Sequence, residues 1–271
     1  MPEGPEIRRA ADKIAAAIVN CPLQEVWFAF AHLQLYAASL TEQRIIAIDT
    51  HGKAMLIRFE NGLTLYTHNQ LYGVWMVRKV YNYPTTNRQL RLAIHGDRKS
   101  ALLYSASDIE ILDADTVLAH PFLQRIGPDI FDPQLTVEMV KNRLQESRFR
   151  RRSLMALLLD QRFLAGIGNY LRSEILFWAK IPPNFRPMDC SLAQLQRLAQ
   201  AIIHIPQQSY QTGGITNDLA IAEVMKLQGA KRWQYRHWVF SREGQPCHRC
   251  GTKIMKAIAS GRRYYYCPVC Q

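Results

Sequence analysis

The 271-residue sequence predicts an α+β protein: a leading helix, an N-terminal antiparallel β-sandwich, a helical domain, and a C-terminal β-hairpin with four cysteines. Three observations predict this order. Residues 23–112 fall into short alternating runs separated by turn residues, without helical stretches between them. After about residue 115 the apolar period shifts to 3.6. Residues 237–271 combine short β-like runs with paired cysteines. The expected domains are 1–125, 126–235 and 236–271.

Each element has its own signal. Ile7, Ala10, Ala11, Ile14, Ala15 and Ile18 lie at helical spacing, which predicts an amphipathic helix over 5–19. Strands are predicted at 24–30, 44–50, 54–59, 63–67, 73–80, 89–95 and 100–105, broken by His51-Gly52, Asn61-Gly62 and Gly96-Asp97. Short antiparallel strands with no crossover helices form a sandwich or barrel. Helices follow at 136–146, 153–160, 169–180 and 191–205. Residues 206–235, with Gly213, Gly214 and Gly229, show no firm period and are expected to form a loop.

The charge is uneven. Residues 1–130 hold 13 basic and 13 acidic side chains, whereas 131–271 hold 21 and 9, which accounts for the whole net charge of +12. The last 41 residues have nine basic side chains and one acid. A basic half on a neutral half points to a polyanionic partner, with ordinary solubilising charge as the bland alternative. No apolar run approaches the ~18 residues that span a bilayer, so no membrane segment is expected. The acidic start Met1-Pro2-Glu3-Gly4-Pro5-Glu6 is unlike a signal peptide, and the expected compartment is the cytoplasm, where stable disulfides are rare.

Four of the six cysteines form Cys247-x2-Cys250-x16-Cys267-x2-Cys270. Each pair offers two thiolates from one tight turn, and a hairpin between them brings the turns together. The expected occupant is one structural Zn²⁺, because four cysteines leave no open position for water. Disulfides or free thiols are the alternative. Cys21 and Cys190 are isolated and expected to be buried as small hydrophobes.

The N-terminus has a chemical reading. Removal of Met1 before proline exposes a secondary amine at Pro2. An α-amine has a pKa near 8 against ~10.4 for lysine, so more of it is neutral at pH 7. Its attack on a sugar carbon gives an iminium, an electron sink. Glu3 and Glu6 are nearby acid/base candidates. On this segment alone the plain reading is preferred, because Pro and Glu are favoured in any first helical turn.

Three distant segments, PEGPEIRR at the start, AGIGNYLRSEIL in the middle and GRRYYYCPVCQ at the end, resemble the formamidopyrimidine-DNA glycosylase/endonuclease VIII family. The resemblance runs from residue 2 to 271, in order and in spacing. The start and His68-Asn69-Gln70-Leu71-Tyr72-Gly73 look most like its endonuclease VIII branch.

The resemblance implies a fold with a helix–two-turns–helix element and a zinc β-hairpin. It implies a monomeric enzyme of base excision repair, a DNA glycosylase and AP lyase. The enzyme would act on oxidised pyrimidines in double-stranded DNA and cut abasic sites by β,δ-elimination. Pro2 would be the Schiff-base nucleophile and Glu3 the acid that assists sugar opening. Lys53 would act in β-elimination, and Arg262 would contact phosphate and assist δ-elimination. Gln70, Leu71 and Tyr72 would fill the void left by a flipped base; packing between the sheets is their alternative. Arg125 and Asn169 would contact DNA. Asn169 is expected to cap the helix after Ala165-Gly166-Ile167-Gly168, leaving free N–H groups for phosphate.

Two other readings stay open. One is the same chemistry on oxidised purines, because Gly213-Gly214-Ile215-Thr216 also resembles the purine-directed branch. The other is a non-catalytic damage-binding protein.

Overall fold

The computed structural model describes residues 2–259 and 261–271. Met1, whose removal would free the Pro2 amine, and Ser260, in the cysteine hairpin, lie outside them. The chain divides into two compact units. One holds Pro2 and Glu6–Arg125; the other holds Glu3–Pro5 and Ile126–Gln271.

The first unit is a sandwich of two four-stranded antiparallel sheets. One sheet has the order β1 (Glu25–Phe28), β6 (Leu90–His95), β7 (Lys99–Tyr104), β5 (Val74–Lys79). The other has β2 (Ile45–His51), β3 (Ala54–Phe59), β4 (Thr64–His68), β8 (Asp108–Leu112). Phe28, Leu92, Ile94 and Leu103 from the first sheet share a core with Ile45, Ile57, Phe59 and Leu65 from the second. Helix α1 (Gly4–Ile18) adds Ile7, Ala11, Ile14 and Ile18 to it, as its apolar spacing requires.

The structure departs from the sequence reading in this unit. The segment after β1 is not purely extended: α2 (Ala31–Gln34) and α3 (Ala37–Leu40) bury only Leu33 and Leu40. Single turns carry too little periodicity to read. Strand β8 is an additional edge strand, and α4 (Ala114–Ala119) follows it, capped by Asp113 through Thr116 N–H.

The second unit is helical: α5 (Val137–Gln145), α6 (Leu154–Leu157), α7 (Asn169–Ala179), α8 (Leu192–Gln211), α9 (Leu219–Leu227) and α10 (Arg232–Tyr235). Its core joins Leu154, Phe163, Leu171, Ile175, Leu198, Ile202 and Ile205. The hairpin of β9 (Met255–Ala259) and β10 (Arg262–Tyr266) ends it.

The expected loop at 206–235 is a correction. Helix α8 continues through Pro206 to Gln211. Proline removes one helical hydrogen bond, but Ile205, Pro206 and Ser209 are buried, and that packing outweighs the local penalty. Helix α9 has no readable period because only Ala222 is buried. Asp218 starts it by accepting from Ala220 and Ile221 N–H at 2.9 and 3.2 Å. Among the described residues, no helix is long and apolar enough to cross a membrane.

Candidate functional site

In the first unit, Lys53 follows Gly52 in the β2–β3 turn, where Gly52 takes φ +61°. The Lys53 side chain is 7% exposed, unusual for a turn lysine. His68, at the end of β4, pairs across the sheet with Ala54 and Asp108. Burial lowers the affinity of His68 for a proton; Asp108 opposes this and the Lys53 charge adds to it. The sequence reading missed His68 as a neighbour of Lys53.

The tip between β4 and β5 is a tight, held turn. Gly73 N–H donates to Asn69 C=O at 2.8 Å, and Gln70 N–H donates to His68 Nδ1 at 3.2 Å. Ser107 Oγ donates to Gln70 Oε1 at 2.9 Å, and Gln70 sits at φ +46°. Leu71 and Tyr72 are 56% and 68% exposed, so they do not pack between the sheets. Arg88 Nη1 holds the Tyr72 carbonyl at 2.6 Å. Two large apolar side chains are thus presented on a braced loop.

Arg125 donates from Nε to Pro121 C=O at 2.6 Å. It lines a cavity of about 400 Å³ with Tyr66, His68, Asp108, Glu110, His120 and Phe122. Burial raises the Asp108 carboxyl, with His68 opposing.

In the second unit, the Glu3 carboxylate is 2% exposed and caps α7 from far away in sequence. It accepts from Tyr170 N–H at 2.8 Å and from Leu171 N–H at 3.2 Å. Gly4 N–H donates to Gly166 C=O at 2.9 Å, and Gly166 lies at φ +103°. A Cβ on Gly168 would lie 2.5 Å from Glu3 Oε1 and 2.6 Å from Glu3 Cγ. Gly168 therefore makes room for Glu3, while a Cβ on Gly166 would meet the Ile130 side chain at 2.9 Å.

This corrects the expected role of Asn169. Gly168 occupies the cap position, and Asn169 is the first residue of the helix. Two of the N–H groups assigned to phosphate are taken by Glu3. The Asn169 side chain instead donates from Nδ2 to Arg263 C=O at 2.8 Å and accepts at Oδ1 from Arg172 Nη2 at 2.6 Å. Arg262 and Arg263 are exposed at the start of β10, with Arg262 opposite Ala259.

Behind them lies a buried polar network. The fully buried Glu174 carboxylate accepts from the N–H groups of Trp238, Val239 and Phe240 at 2.8, 2.9 and 2.9 Å, and from the Thr216 hydroxyl. His237 Nδ1 meets Thr216 Oγ1 at 2.8 Å. Burial raises the Glu174 carboxyl, against the pull of these four donors. This network ties α7 to the segment entering the cysteine hairpin. Its partners are ~40–65 residues away, beyond any local pattern.

Cys247, Cys250, Cys267 and Cys270 converge, their sulfurs all within 4.8 Å of one another. Zn–S bonds of about 2.3 Å in a tetrahedron place sulfurs ~3.8 Å apart. The Cys250–Cys267 and Cys247–Cys270 separations, 3.5 and 4.0 Å, bracket that value. The donor set fits one structural Zn²⁺. Phe177, Trp238, Ile254 and Tyr265 pack around Cys247 and Cys267.

Comparison with known proteins agrees with this arrangement. Family models match the formamidopyrimidine-DNA glycosylase N-terminal domain at residues 1–107 and its H2TH domain at 126–220. A zinc finger described as found in FPG and IleRS matches 244–271. Endonuclease 8 of Escherichia coli strain K12 / DH10B is 51% identical over 271 residues, covering 100% of both chains. Endonuclease 8 of Shigella sonnei strain Ss046 is equally similar, with the same coverage. Among solved structures, the Lactococcus lactis formamidopyrimidine-DNA glycosylase bound non-covalently to DNA with an abasic site superimposes with a TM-score of 0.80. It is 22% identical and is matched over 99% of each chain, a likeness of fold. Full-length identity with the endonuclease 8 enzymes, together with the matched models, shows that the chain belongs to the formamidopyrimidine-DNA glycosylase/endonuclease VIII family.

Proposed function

We propose that this DNA glycosylase/AP lyase of base excision repair works through Pro2 and prefers oxidised pyrimidines. The observation that carries the reading is the placement of Glu3. It is the residue next to Pro2, and it is buried and held by two backbone N–H groups at a helix start. An acid fixed in this way cannot drift from the amine beside it in the chain.

The neutral Pro2 amine attacks C1′ of the damaged nucleotide. The C1′–base bond breaks and the base leaves with a proton. Glu3 protonates O4′ as the C1′–O4′ bond opens, and the nitrogen lone pair completes the iminium. Loss of a C2′ proton then expels the 3′ phosphate. A second elimination breaks the C5′–O5′ bond and expels the 5′ phosphate. Lys53 serves the first elimination and Arg262 the second. Water releases the sugar fragment from Pro2.

Gln70, Leu71 and Tyr72 occupy the stack when the base is flipped, which fits the exposure of the last two. Arg125 and Asn169 contact the DNA backbone. The four cysteines hold Zn²⁺, which supplies structure to the basic hairpin and no reaction step.

Borohydride trapping on abasic duplex tests the nucleophile. Met-processed wild type should form a covalent complex and Pro2→Gly should not. Equal trapping by both would overturn the assignment of Pro2. Excision from thymine glycol and 8-oxoguanine duplexes tests the preference, and faster 8-oxoguanine release would overturn it.

A further inference from the structure

Arg172 takes no part in the steps above, yet it is the largest fully buried side chain of the described residues, at 1% exposure. A charged group so placed is costly unless it does something a hydrophobic residue could not. Burial pushes its pKa down to about 10; the nearby Arg262 charge adds to this and Glu3 opposes it. Its Nε–H has no hydrogen-bond partner. Its two other nitrogens are committed. Nη1 donates to Met155 C=O at 2.8 Å. Nη2 donates to Asn169 Oδ1 at 2.6 Å and to Arg263 C=O at 3.3 Å. Tyr264 lies with its ring centre 5.9 Å from the guanidinium.

The bond to Asn169 has a chemical consequence. The two ends of an asparagine amide are alike in shape and opposite in function. A guanidinium has donors only, so it selects the oxygen. Oδ1 is held toward Arg172, and Nδ2 is the end left to meet anything else. One Nδ2 hydrogen goes to Arg263 C=O. The other is available to an anion. The same carbonyl accepts from both Asn169 and Arg172, so the first turn of α7 and the start of β10 are pinned together one residue from Arg262.

We propose that Arg172 is a positioning residue: it locks the Asn169 amide with its N–H end toward a DNA backbone phosphate, and through the Arg263 carbonyl it sets the place of Arg262. This rests on the reading of Asn169 as a phosphate contact and of Arg262 as a group in δ-elimination. Without the guanidinium the amide can flip and present an oxygen, which repels phosphate.

A double-mutant cycle tests this in the full-length, zinc-loaded protein. Arg172→Met keeps the length and removes every donor. Its affinity for duplex containing a tetrahydrofuran abasic analogue should fall about 10-fold, the worth of one hydrogen bond to a charged group. Asn169→Ala should fall at least as far, and the double variant no further than Asn169→Ala alone. On a pre-formed abasic site, Arg172→Met should lower the share of δ- over β-elimination product. The Asn169 side-chain amide resonance, seen in protein labelled at asparagine, should shift or broaden in Arg172→Met.

Losses that multiply in the double variant would reduce Arg172 to a packing residue. Wild-type affinity in Arg172→Met would overturn the proposal outright, as would an unmoved Asn169 resonance. If Asn169→Ala itself binds normally, the phosphate reading is what fails, and the resonance and the product ratio still judge the clamp. If Arg172→Met does not fold, Arg172→Gln takes its place in the cycle. A glutamine amide offers an acceptor as well as donors, so it does not select the Asn169 oxygen and the same outcomes decide.

Discussion

Replacing Gly168 with alanine should disable base excision by displacing Glu3. The new methyl carbon would stand 2.5 Å from Oε1 and 2.6 Å from Cγ, where ordinary contact needs ~3.5 Å. A mobile side chain would swing away at little cost. Glu3 is pinned by Tyr170 and Leu171 N–H, so either the carboxylate moves by ~1 Å or the turn opens. A shift of that size costs on the order of 10²-fold in rate. The bonds are charge-assisted and worth ~1.5–3 kcal/mol each, so losing one destabilises by about 2 kcal/mol. For a chain this long, that lowers Tm by roughly 4–8 °C. Single-turnover release of thymine glycol and a thermal melt measure the two effects. The rate defect should approach that of Glu3→Gln, and combining the two substitutions should add little. Wild-type excision together with a wild-type Tm in Gly168→Ala would refute the reasoning.

Three further outcomes are expected. Cys267→Ser should reduce bound zinc from one per chain toward none and weaken DNA binding by at least ~10-fold, since metal binding is worth ~10–16 kcal/mol in finger peptides; unchanged affinity by titration would contradict the role of the hairpin. Leu71→Ala with Tyr72→Ala should leave the melt within ~1 kcal/mol of wild type, as both side chains are exposed, while slowing excision from paired duplex more than from single strands; equal slowing on both would remove the wedge. His237, 6% exposed, is held well below its ordinary pKa by burial and then by Arg236, Arg232 and Arg242. It stays neutral when folded, whereas the unfolded chain takes up a proton below pH ~6.5. Stability is therefore full above that pH and falls below it by up to ~1.4 kcal/mol per pH unit. The urea midpoint of His237→Gln should fall less between pH 7 and 5.5 than that of wild type, and an identical slope would refute this.

Periodic features were legible in the sequence and long-range polar ones were not. Ile7, Ile14 and Ile18 announce α1, and the cysteine spacing announces its cluster, because each signal lies within a few residues of its cause. The Leu-Tyr tip was implied by the resemblance alone, with packing between the sheets as its alternative, and only the structure shows both side chains exposed. Helix α9 escaped because one buried alanine leaves no stripe. Asn169 was assigned a cap it does not form, because the group that fills the N-terminus of α7 comes from 167 residues upstream. Glu174 and Arg172 sit in a helix as any polar residues would, and only their distant carbonyl and N–H partners give them a role.

The second unit is discontinuous in sequence: it needs Glu3–Pro5 as well as everything after Arg125. A fragment cut at residue 126 would leave the start of α7 stripped of the carboxylate that fills it. The protein is therefore a poor candidate for splitting, shuffling or expression in halves. Any fusion at the front end meets the same restriction twice. It acylates the Pro2 nitrogen, and it loads extra chain onto a segment whose very next residue is built into the helical unit.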